Sequence, residues 1–144
     1  MGHAKQLRLA LATAVVAVGL IAIAPAAASA ATYTGSFADG GTLSFKTVTR
    51  EGKVVRVKQF AWKNVPVSCD QGDSSYTAQL PFSMSVNSLA FSIKATGVGV
   101  IQSVSGRLTH QRRKANGTLN VFGALGVGKT NCSTGDLTWS AARG

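Results

Sequence analysis

An all-β fold class is predicted for this chain by three observations. Beyond residue 30 almost no stretch has helical period. Short segments alternate apolar and polar residues instead, and glycine, sixteen in the chain, punctuates them. Strands at regular spacing with Gly-rich turns build an antiparallel sandwich or a closed barrel. The sandwich is the favoured expectation and a small β-barrel its alternative.

The first thirty residues are built differently. Lys5 and Arg8 form a short positive region, sixteen residues from Leu9 to Ala24 carry no charge, Pro25 follows, and Ala28-Ser29-Ala30 offers small residues to a signal peptidase. A membrane span needs about 20 apolar residues, so this run reads as a cleavable signal peptide over 1–30. Residues 31–144 are then the mature protein, one domain in size, with no membrane span after cleavage and a secreted or cell-envelope location.

Residues 34–37 and 42–48 flank Asp39-Gly40-Gly41, a hairpin signal. Residues 54–63 form the longest strand candidate. Val55 and Val57 share one parity while Phe60 and Trp62 take the other, so a bulge is expected near Lys58 and Gln59. Residues 64–75 hold Pro66, Cys69 and Gly72 and read as a loop. Leu89, Phe91, Ile93 and Ala95 alternate with Ala90, Ser92, Lys94 and Thr96. Residues 104–111 and 118–125 look like strands paired around a basic turn at 112–117. Leu137, Trp139 and Ala141 give a last strand that places Trp139 in the core. An internal echo suggests two related halves: Gly35-Ser36-Phe37, Gly41-Thr42-Leu43 and Cys69 with Gly72 are followed by Gly106-Arg107-Leu108, Gly117-Thr118-Leu119 and Cys132 with Gly135.

The only cysteines, Cys69 and Cys132, predict one disulfide in an exported chain, with Cα atoms about 4.4–6.8 Å apart. Gly41-Thr42-Leu43-Ser44-Phe45, Val67-Ser68-Cys69 and the ending Cys132-x-x-Gly135-x-x-x-Trp139 carry a resemblance. The chain is similar to a group of small exported proteins of high-GC Gram-positive bacteria. The resemblance implies export and a β fold and transfers no functional residue.

Charge is the clearest functional signal. Of fifteen Lys and Arg, all but Lys5 and Arg8 lie beyond the leader, against five Asp and Glu. The concentrated cluster is Arg112-Arg113-Lys114, a candidate anion-binding turn. Lys46, Arg50, Lys53, Arg56, Lys58 and Lys63 extend the positive surface, with Arg56 and Lys58 placed on the same solvated face as Val54. Basic residues are not interleaved with aromatics, which argues against nucleic acid. Tyr76 and Phe82, beside loop signals, are candidate ligand-stacking residues.

Gly123 to Thr130 matches the phosphate-loop pattern at every position. That motif works by opening a helix, and here turn residues and a strand follow, so it reads as a false match without a nucleotide. His110, with Asp70, Asp73 or Asp136, lacks the company a catalytic set requires. Two carboxylates are too few for calcium, and one histidine with two bridged cysteines is too few for zinc. Asn116-Gly117-Thr118 and Asn131-Cys132-Ser133 match glycosylation sequons, which a bacterial-type leader makes idle. The expectation is a non-catalytic, cofactor-free binding or envelope module whose partner is a carbohydrate or an anionic wall polymer. An inhibitor or protein-interaction domain is the first alternative, and an enzyme of unfamiliar type the second.

Overall fold

The computed structural model describes residues 27–144. The charged start and apolar run of the leader lie outside them. Among the described residues no helix is long and apolar enough to cross a membrane. The fold is all-β and antiparallel. In chain order the strands are β1 (Ser29–Phe37), β2 (Thr42–Arg50), β3 (Lys53–Cys69), β4 (Gly72–Gln79) and β5 (Met84–Ser85), then β6 (Ala90–Gly97), β7 (Val100–Leu108), β8 (Lys114–Gly123), β9 (Cys132–Ser133) and β10 (Leu137–Arg143).

The favoured sandwich gives way to its alternative. β10 pairs with β1 on one edge and with β8 on the other, so the sheet closes on itself. The circuit runs β10-β1-β2-β3-β9-β8 and back to β10, a six-stranded barrel. β4 and β5 attach to the second edge of β3, and β7 and β6 extend from β8. Closure removes free edges that a sandwich would leave.

The long β3 shows how sequence drives the curvature. Its buried residues are Val54, Val57, Phe60, Trp62, Val65 and Val67, so three of the five intervals span three residues where a flat strand allows two. Each longer interval is a bulge. The register shifts between Val48 and Thr49, between Ser44 and Lys46, and between Trp62 and Val65. Gln59 (φ 54°) and Asn64 (φ 55°) take left-handed conformations there. The slip expected near Gln59 is present, and with its two companions it bends β3 around the core.

Bulges also correct two expectations. Val54 points inward while Arg56 and Lys58 face outward, so they do not share its face. Residues 64–75 are not a loop: β3 runs on to Cys69 and pairs with β4 through Pro66 and Ser75. Proline is accommodated because β3 has lost β2 by this point and is open along one edge. The two-halves echo fails as well, since Gly41 lies in a turn at φ 91° whereas Gly117 is mid-strand in β8.

Aromatic side chains fill the interior. Phe45 stacks on Tyr33 (4.9 Å) and Phe60 (5.5 Å) and meets Trp139 edge-on at 5.9 Å. One cross-strand row reads Phe91, Gly106, Gly117, Trp139 on β6, β7, β8 and β10. A Cβ on Gly106 would stand 2.4 Å from Phe91 and 2.7 Å from Trp139, so the missing side chains make room for the two rings.

Cys69 and Cys132 form the disulfide. Ser68 and Ser133 are direct partners, and the cysteines sit one step further along the same antiparallel pair. Facing neighbours lie closer than the usual bridge, and the Cα separation is 3.9 Å, shorter than the expected range.

Candidate anion-binding surface

Strand directions sort the charged residues into two groups. The proximal end of the barrel carries the start of β1, the end of β10, and the β2–β3 and β7–β8 turns. The distal end carries the β1–β2 and β3–β4 turns, the disulfide and the loop at 124–131. Of the thirteen Lys and Arg among the described residues, ten fall in the proximal half, from β2 (Lys46, Arg50), β3 (Lys53, Arg56, Lys58), β7 and the turn after it (Arg107, Arg112, Arg113), β8 (Lys114) and β10 (Arg143). Glu51 is the one carboxylate beside them. The distal half holds Lys63, Lys94 and Lys129 with Asp39, Asp70, Asp73 and Asp136.

The β2–β3 ribbon is the denser part. Lys46 faces Lys58 directly across the ladder, and Arg50 faces Lys53. Like charges opposite one another destabilise a sheet unless something else offsets them. The distal carboxylates do not serve: Asp70 accepts from Asn131 (2.7 Å), Asp73 from the Ser68 hydroxyl (2.8 Å) and Asp136 from Asn120 (2.7 Å). Arg50, Arg56 and Lys58 line one concavity of about 420 Å³, with Val48, Val55 and Ser83. These residues are scattered in sequence, and only the register brings them together.

The turn holding Arg112 and Arg113 is fastened to the barrel. The Tyr33 hydroxyl donates to the Arg112 carbonyl (2.5 Å), and the Arg143 N–H donates to the Arg113 carbonyl (2.8 Å). Burial raises the Tyr33 phenol above its ordinary value, against the opposing pull of Arg143 and Arg112. Lys114 already belongs to β8, so the three expected cations divide between turn and strand.

A second and larger concavity of about 710 Å³ adjoins the first, and Ser83 lines both. Its polar wall is made of hydroxyls and Asn87 with Arg107, and it contains neither His110 nor a carboxylate. His110 stands exposed in the β7–β8 turn. Among the described residues no cluster of three or more metal-ligating side chains forms.

Of the two stacking candidates, Phe82 is 55 % exposed, in the bend before β5. Tyr76 is half-buried against Trp62 (6.2 Å) and near the Gln102 amide, so it is part of the packing and not a free platform. The phosphate-loop match is a turn leading into β9. Leu125 and Lys129 close it through the Leu125 N–H to Lys129 carbonyl bond (3.1 Å), and the Lys129 ammonium donates to Ser74 (2.7 Å). Neighbouring tips expose Val98 and Val127 completely, with the cross-strand pair Ile101 and Phe122 exposed below them.

No family model, no curated protein and no solved structure matches this chain.

Proposed function

We propose that this protein is an exported, non-catalytic binding module that holds an anionic polymer on the proximal end of its barrel. The observation that carries this reading is the segregation of charge: ten cations gather with a single carboxylate, and like-charged residues face each other in register. A polyanion supplies the counter-charge that the chain withholds. The signal-peptide pattern and the disulfide support an oxidising, extracytoplasmic location. Docking of another exported protein is the rival, favoured by the apolar distal tips. The polymer reading is preferred because charge complementarity specifies its partner.

Two triple variants of equal charge test it on a heparin column: Arg50, Arg56 and Lys58 to Ser, and Arg112, Arg113 and Lys114 to Ser. Diffuse attraction predicts equal losses that vanish with salt. A site predicts a larger loss from the β2–β3 triple, because those cations line a concavity, and part of that loss persists in high salt. Equal behaviour of the two variants, or no retention of the native protein at physiological salt, would refute the reading.

A further inference from the structure

Resting on that reading, we propose that the polymer is of the polyol-phosphate kind, a linear chain in which anionic groups are separated by hydroxyl-bearing carbons, and that it lies along one groove crossing β3, β5, β6 and β7. The concavity that holds Arg50, Arg56 and Lys58 and the larger one beside it are not independent, because Ser83 is a wall of each. At one end stand Arg50, Arg56 and Lys58. At the other stands Arg107, exposed on β7. The surface between the cations is uncharged and rich in hydrogen-bonding groups. Ser85 is the cross-strand partner of Arg56, and Ser92 is the partner of Ser105. The Ser105 hydroxyl in turn bonds that of Thr118 at 2.8 Å, which fixes its orientation.

This order of chemistry selects a ligand. Inorganic polyphosphate is charged at every unit and would place anions against hydroxyls that gain little from them. A neutral glucan would leave Arg50, Arg56, Lys58 and Arg107 unmatched. Serine hydroxyls donate and accept, as polyol hydroxyls do, so a neutral hydroxylated stretch fits the middle and phosphates fit the ends.

Fluorescence anisotropy with labelled poly(glycerol phosphate) and inorganic polyphosphate of matched charge, in about 0.15 M salt, tests the proposal. Native protein is expected to bind the polyol phosphate about ten-fold more tightly, the effect of one or two extra net hydrogen bonds. Ser92→Trp, at an exposed position of β6, fills the uncharged arm. It should abolish that preference while polyphosphate binding stays within about two-fold. Asn87→Trp, at an exposed position that lines only the uncharged arm, is a second variant with the same expected outcome, and circular dichroism checks the fold of each. Equal affinity of native protein for the two polymers, or an unchanged preference in both folded variants, overturns the groove and leaves the anionic-polymer reading standing. Tighter binding of single-stranded RNA overturns the ligand class. Binding of neither polymer overturns the functional reading itself, and the groove with it.

Discussion

Replacing Cys69 and Cys132 together by Ala tests what the bridge contributes to barrel closure. The circuit is thinnest between β3 and β9, where one residue pair, Ser68 with Ser133, joins the strands. The bridge closes a loop with a sequence separation of 63 residues. On the chain-entropy model its loss releases enough unfolded-state freedom to cost about 4 kcal/mol. Against a typical domain stability of about 5–15 kcal/mol, that leaves about 1–11 kcal/mol, so the protein stays folded at room temperature. Other bonds hold the same place. The Asp70 N–H donates to the Thr130 carbonyl (3.2 Å), the Gln71 amide exchanges two bonds with Thr130 (2.9 and 3.0 Å), and Asn131 donates to Asp70 (2.7 Å). These bonds are exposed and worth about 1 kcal/mol or less each, so they keep β9 in place without replacing the bridge. Denaturant unfolding of the double variant should show a loss of about 4 kcal/mol, and a thermal scan a fall of about 16 °C. Hydrogen exchange should quicken first at the amides of Asp70, Asn131 and Ser133. A loss below about 1 kcal/mol would refute loop closure as the source of the bridge's effect.

Gly117→Ala should cost about 3 kcal/mol, at the upper end of overpacking, because the new Cβ would stand 2.0 Å from the Ser105 carbonyl and 2.5 Å from Trp139. Gly97→Ala, with nothing nearer than 3.9 Å, is the control, and urea midpoints compare the two. Tyr33→Phe removes the bond to the Arg112 carbonyl and should cost about 1 kcal/mol at neutral pH. The folded Tyr33 keeps its proton when the unfolded phenol begins to ionise, so its stabilisation is complete below about pH 10 and falls as pH rises further. Urea midpoints of native protein and variant should therefore converge at high pH, and a gap that widens there would contradict the burial of the phenol.

Local patterns were legible where the physics is local. Alternation in β6 placed Phe91 inward and Ser92 outward, and the phase slip in β3 revealed the bulge at Gln59. Closure was not legible, because β10 joins β1 to β8, and a strand's alternation is the same whether its sheet is open or closed. The same ignorance of partners hid the cationic cluster on the β2–β3 ribbon. Lys46 and Lys58 are twelve positions apart in sequence and opposite each other in space, whereas Arg112-Arg113-Lys114 is conspicuous simply because its residues are consecutive. Tyr76 looked exposed because its flanks are polar and turn-like; in the fold, β4 lays it against Trp62.

The uneven placement of charge gives the molecule a permanent dipole along the barrel axis. Among the described residues ten cations and one carboxylate lie in one half, and three cations and four carboxylates in the other, so an external field exerts a torque as well as a pull. Near an extended anionic surface the barrel turns before it lands, proximal end first. Val98 and Val127 then point away from that surface and into the surrounding medium. A layer of such molecules would convert a charged, hydrophilic boundary into one studded with small apolar points, a change of wetting that needs no contact between neighbours and no change of shape.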